Sequence, residues 1–156
     1  MIKTVRTTSA DKDFITLVDQ LNSELALRDG DMHEFYHQFN AIDNLNHVVL
    51  VYKNKVAVGC GAFKPFNDES VEIKRMFVPK NYRGQRIATI VLDALETWAK
   101  ELGFKICVLE TGKKQPEAIA LYSRRGYTVT KNYGQYIGVE NSVCFKKQLS
   151  ATPTNS

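Results

Sequence analysis

The chain has 156 residues, of which 44% are hydrophobic and 24% charged, with a net charge of +4. That length supports one domain with a core of its own, and the composition is that of an ordinary globular protein. The small charge surplus gives no argument for nucleic acid, and no apolar run is long enough to span a membrane.

Met1 to Asp13 lacks the apolar core of a signal sequence. Ile2 to Thr7 alternates like a short strand. Ser9 is a suitable cap for a helix whose Phe14, Leu17, Val18, Leu21 and Leu25 share one face, ending at Asp29-Gly30. A second helix is expected from about Met32 to Phe39. Val48–Tyr52 and Val56–Phe63 read as strands joined by Lys53-Asn54-Lys55, a hairpin signal. After a turn over Pro65–Glu69, Ser70–Val78 is rich in β-formers and stops at Pro79.

The cleanest helical stripe follows, in Ile87, Ile90, Val91, Ala94, Leu95, Trp98 and Leu102, with Gly103 placed to end it. Lys105–Glu110 is an apolar strand, and Pro116 then opens a short helix that Gly126 stops. Thr128–Lys131 and Ser142–Leu149 are the last strands. The order predicts an α/β fold in which a mixed, mostly antiparallel sheet carries helices on both faces. Residues 1–150 form the expected domain, and 151–156 a frayed polar tail. Cys60, Cys107 and Cys144 lie in apolar runs without a CxxC pattern, so they read as reduced core thiols of a cytoplasmic protein.

Between the strand ending at Val78 and the long helix lies Lys80-Asn81-Tyr82-Arg83-Gly84-Gln85-Arg86, with three cations and one glycine. A helix N-terminus attracts anions through its N–H groups, and such a loop could cradle a diphosphate. It has neither the Gly-Lys-Ser/Thr of a nucleotide P-loop nor the glycines of a dinucleotide fingerprint. A solvated basic turn is the other reading of the same residues.

Two segments together resemble the GNAT superfamily of acetyl-CoA-dependent N-acetyltransferases. Val78-Pro79-Lys80-Asn81-Tyr82-Arg83-Gly84-Gln85-Arg86-Ile87-Ala88 is similar to that family's acyl-CoA loop, Q/R-x-x-G-x-G/A. Gln115-Pro116-Glu117-Ala118-Ile119-Ala120-Leu121-Tyr122-Ser123-Arg124-Arg125-Gly126-Tyr127 is similar to its later segment ending A-x-x-L-Y-x-x-x-G-F/Y. Arg86 stands where the loop's second glycine is common, and Gln115 where many members have an Asn near the pantetheine arm.

The resemblance implies an acyl-CoA N-acyltransferase-like fold and acetyl-CoA or CoA as cofactor. It implies CoA contacts from Arg83, Gly84, Gln85, Arg86, Ile87, Ala88, Gln115 and Tyr122, and from the backbone of Met76, Phe77 and Val78, where the family splays two strands apart. It also implies Tyr122 as the acid on the thiolate side. Glu72 sits on the central strand four residues before Met76, on the same face by strand alternation. Some members use a carboxylate there as general base. Tyr122 also reads as a core aromatic, and Glu72 as an ion-pair partner of Lys74 or Arg75. Glu110 is a second candidate base. In the family the first helices cover the acceptor, which here offers Glu24, Arg28, Asp31, His33, Tyr36 and His37; the loop with Tyr133, Gly134, Gln135 and Tyr136 could close over it.

His33-Glu34-Phe35-Tyr36-His37 fits the HExxH pattern of zinc proteases, with Asp43 at a third-ligand position. Asn40 replaces the glycine that turns the chain back toward metal, and zinc hydrolysis would leave the acyl-CoA segments without purpose. No metal is expected. The sequence therefore reads as an N-acetyltransferase moving acetyl from acetyl-CoA to the primary amine of a small molecule by direct attack. A protein lysine or N-terminal acetyltransferase is the second reading, and a non-catalytic CoA-binding regulatory module the third. No nucleic acid or membrane partner is expected, and a homodimer is left open.

Overall fold

A computed structural model of the chain describes residues 1–29 and 44–149. Among them are seven strands: β1 (Ile2–Thr7), β2 (His47–Lys53), β3 (Val56–Pro65), β4 (Ser70–Phe77), β5 (Ile106–Gly112), β6 (Thr128–Thr130) and β7 (Ser142–Gln148). Three helices accompany them: α1 (Lys12–Asp29), α2 (Ile87–Glu101) and α3 (Pro116–Arg124). The strands are hydrogen-bonded in the order β1-β2-β3-β4-β5-β7-β6. The β4–β5 register is parallel, while β1–β2, β2–β3, β5–β7 and β6–β7 are antiparallel. The expected α/β class with a mixed, mostly antiparallel sheet is thus formed. The expected helix at 32–39, the HExxH residues and the tail from 151 lie outside the described residues.

The chain folds as two compact units, Met1–Lys64 with Lys74–Leu95, and Pro65–Ile73 with Glu96–Ser156. In the first, Phe14, Leu17 and Val18 of α1 pack on Val48 and Leu50 of β2, Cys60 and Ala62 of β3, and Phe77 of β4. Each large side chain buried there stabilises the unit by roughly 1.5–3 kcal/mol. Asp11, not Ser9, caps α1: its Oδ1 accepts from the Asp13 N–H at 2.9 Å. Ser9 is drawn away, its Oγ accepting the Leu45 N–H at 3.1 Å. The β2–β3 turn is tighter than Lys53-Asn54-Lys55 suggested. Asn54 and Lys55 take φ of 51° and 71°, the geometry of a two-residue type I′ turn.

Helix α2 lies close on β3 because Gly59 and Gly61 present no side chain. A Cβ on Gly59 would meet Ile87 Cγ2 at 2.6 Å. A Cβ on Gly61 would meet Met76 Sδ at 2.6 Å and Val91 Cγ1 at 2.7 Å. The helix's buried face is wider than its apolar stripe, for Leu92 and Ala99 are fully buried as well.

In the second unit β7 pairs with β5 along its whole length, from Ile106↔Gln148 to Gly112↔Ser142, and β6 lies against β7's other edge. Leu109, Cys144 and Phe145 are buried. A buried carboxylate, Glu96, is satisfied by the Tyr127 hydroxyl at 2.9 Å and Lys147 Nζ at 2.8 Å, as a charge removed from water requires.

Gly61→Ala is expected to destabilise the protein by about 1–3 kcal/mol through overpacking. Chemical denaturation should show a lower midpoint with an unchanged slope.

Candidate active site

In the first unit, Lys80–Tyr82 form a single 3-10 turn, closed by the Tyr82 N–H to Pro79 O at 2.9 Å. The chain then passes through two left-handed residues, Gly84 at φ 83° and Arg86 at φ 64°, and enters α2 directly. Glycine takes such a φ without cost, whereas an L-residue pays about 1–2 kcal/mol. Arg86 therefore carries strain at the point where the helix begins.

The first turn of α2 holds no acidic residue, so the partial positive charge of its N–H groups is not offset locally. Lys80, Gln85 and Arg86 are exposed beside it, and the space next to Gly84 is open. Backbone donors, two cations and no carboxylate in that turn make a donor set suited to a diphosphate. Ile87 is buried and Ala88 half-buried at the start of the helix.

Arg83 is used differently. Its Nε donates to Val78 O at 2.8 Å, Nη2 pairs with Glu24 Oε2 at 2.6 Å, and the guanidinium lies 5.8 Å from the Phe77 ring centroid. A residue expected at the coenzyme and one expected at the acceptor are thus joined to each other. Gln85 Oε1 accepts from Lys53 Nζ at 2.7 Å. Arg28 lies in the last turn of α1, but its side chain is outside the described residues, as are His33 and Tyr36.

On β4, Arg75 has φ 61°, a left-handed residue inside a strand. Its Nη1 donates to Asn22 Oδ1 at 2.9 Å, and its carbonyl accepts from the Cys60 thiol at 3.3 Å. Such a residue breaks the two-residue alternation. The expectation that Glu72 and Met76 share a face rested on an unbroken alternation, which Arg75 interrupts. Met76 sits over Gly61, and Phe77 joins the core with α1.

The second unit holds both candidate bases and the candidate acid. The parallel ladder runs from Ser70↔Ile106 to Glu72↔Val108, so Glu72 ends it. Glu72 is only 4% exposed, and its Oε2 accepts from the Tyr133 hydroxyl at 2.9 Å. Tyr133 was visible in the sequence only as part of a loop, and nothing local marked it as this partner. Glu110, on β5, bears electrostatically on the phenols of Tyr122 and Tyr136. Tyr136, expected at the acceptor, is buried with its ring 5.9 Å from that of Tyr133.

Tyr122 is 6% exposed on α3, edge-on to Tyr127 at 5.7 Å and tilted against Phe145 at 5.9 Å. Burial, and then the charge of Glu110, raise its phenol above the usual range, so it keeps its proton at neutral pH. Gln115 precedes α3 without a side-chain cap, and a Cβ on Gly112 would lie 3.5 Å from its Nε2.

Burial pushes the Cys60 and Cys107 thiols up to about 12 and raises Cys144 too. Lys147 does stand near Cys107, but its effect is smaller than that of burial and of Glu96. None of the three is poised as a nucleophile.

The sequence of residues 15–127 matches the model of the acetyltransferase (GNAT) family. The chain belongs to that family. Among curated GNAT-like relatives, it is 36% identical over 126 residues to a Xenopus tropicalis protein provisionally named N-acetyltransferase 14, covering 80% of this chain and 60% of that one. The chain spans about 60% of the length of the first curated relatives it matches. A Klebsiella pneumoniae crystal structure assigned provisionally as an acyl-CoA N-acyltransferase superposes with a TM-score of 0.81 at 27% identity, over 96% of this chain and 99% of that one. The PaiA N-acetyltransferase of Thermoplasma acidophilum, solved in complex with coenzyme A, shares the fold at a TM-score of 0.71 and 14% identity, over 95% and 99%. No helix among the described residues is long and apolar enough to cross a membrane.

The left-handed φ at position 86 gives a physical reason for glycine at that place in the GNAT loop. Replacing Arg86 with Gly should raise stability by about 1 kcal/mol, read from denaturant midpoints. A loss instead would show that the guanidinium makes a structural contact outweighing the strain.

Proposed function

We propose that the chain is an acetyl-CoA-dependent N-acetyltransferase acting by direct attack of a small primary amine. One observation carries this: the acid-free N-terminus of α2, entered through left-handed Gly84 and Arg86, offers the donors a diphosphate needs. Family membership and the coenzyme A complex of a protein with the same fold support it. Backbone N–H groups from Gly84 to Ala88, with Lys80 and Arg86, would hold the coenzyme's diphosphate. The backbone of Met76 to Val78 and the Gln115 amide are assigned to its pantetheine arm. When bound, acetyl-CoA supplies the acyl group and a thiol leaving group.

The remaining work is proton transfer, and the second unit supplies it. An ammonium cannot attack until it loses a proton, and the Glu72 carboxylate is assigned to accept it. The departing thiolate needs a proton, and Tyr122 Oη, held in its protonated form by burial and by Glu110, is assigned to deliver it. The low exposure of Glu72 and Tyr122 favours a small acceptor over a folded protein surface. Three free, buried cysteines suit a reducing cytoplasm.

Tyr122→Phe is expected to lower turnover by about 10²-fold or more while acetyl-CoA affinity by calorimetry stays within about twofold. Equal losses in both would mean that the ring only packs. Glu72→Gln should lose most activity at low pH, where the amine is most fully protonated; a pH–rate profile parallel to that of wild type would remove Glu72 as the base.

A further inference from the structure

We propose that Tyr133 is the positioning residue for Glu72, its phenol holding the carboxylate in one orientation. This rests on the acetyltransferase reading above, in which Glu72 accepts the amine's proton. A carboxylate that is 4% exposed has lost most of its water and depends on hydrogen bonds from the protein. Tyr133 Oη donates one to Glu72 Oε2 at 2.9 Å, across 61 residues of sequence. A hydrogen bond to the ionised form stabilises that form.

The phenol is itself held in place. Phe66 meets the Tyr133 ring edge-on at 5.0 Å, and Tyr136 stands nearly perpendicular to it at 5.9 Å. The Tyr136 N–H donates to Tyr133 O at 2.9 Å, closing the 3-10 turn Gly134–Tyr136. Asn132 Nδ2 bridges Tyr136 O and Val139 O, each at 3.0 Å, so the turn is tied across its mouth. A side chain already held by two neighbouring rings costs little further entropy when it fixes the carboxylate.

Among the described residues, the Glu72 charge bears on Tyr133 and Tyr136 from the β6–β7 loop and on Cys144 from β7, with Glu110 of β5 acting on Tyr136 and Cys144 as well. Burial and the Glu72 charge raise the Tyr133 phenol above its ordinary range, so it remains a donor throughout the working pH range. Its role is therefore to orient, while the transferred proton goes to Glu72.

The test is carboxyl-carbon NMR of the full chain labelled at glutamate, with Glu72→Gln used to assign the signal. Tyr133→Phe keeps the ring contacts and deletes only the hydroxyl, and it should move the Glu72 carboxyl signal while leaving the other glutamate signals in place. Thiol release from acetyl-CoA, with tyramine and with ethylenediamine as acceptors, provides the second reading. Tyr133→Phe should lower kcat with little change in KM for acetyl-CoA. It should have no further effect in the Glu72→Gln background. An unmoved Glu72 signal, or a further loss in that background, overturns the role of Tyr133. A moved signal with undiminished turnover in Glu72→Gln overturns instead the assignment of Glu72 as proton acceptor.

Discussion

Two absent side chains set where the first unit can place its helix. With Cβ contacts at Gly59 and Gly61 that would fall between 2.6 and 2.9 Å of α2 and Met76, any larger residue would lift the helix from β3. The helix must lie down before its N-terminus can be aimed, and that N-terminus is the feature best suited to bind a phosphorylated coenzyme. Close packing along its length therefore bears on the chemistry at its end. The strained φ at Arg86 lies at the start of the same helix.

The second unit manages buried charge instead of close packing. Glu96 is satisfied by Tyr127 and Lys147, a hydroxyl and a cation, an arrangement that ties the end of α2 to β7. Glu72 receives a phenol from a loop held by Asn132.

Membership of the GNAT family places these features in a common scaffold, and the departures from its pattern have physical readings. Arg86 occupies a left-handed position suited to glycine. Arg83 spends its guanidinium on Glu24 and Val78, linking α1 to the loop.

Much was legible from the residues alone. The strands and helices follow from side-chain periodicities of two and 3.6 residues, and Gly84, Gly103 and Gly126 do take the left-handed conformations that helix ends and tight loops require. Those are properties of a few consecutive residues, which is why sequence by itself determined the element order, the α/β class and the basic loop ahead of α2. The insertion of β7 between β5 and β6, the left-handed conformation of Arg75 within β4, the turning of Arg83 to Glu24 and the partnering of Glu72 by Tyr133 were decided only by tertiary structure. Each depends on which distant segments the topology makes neighbours, or on strain that such neighbours hold in place, and no local pattern encodes either.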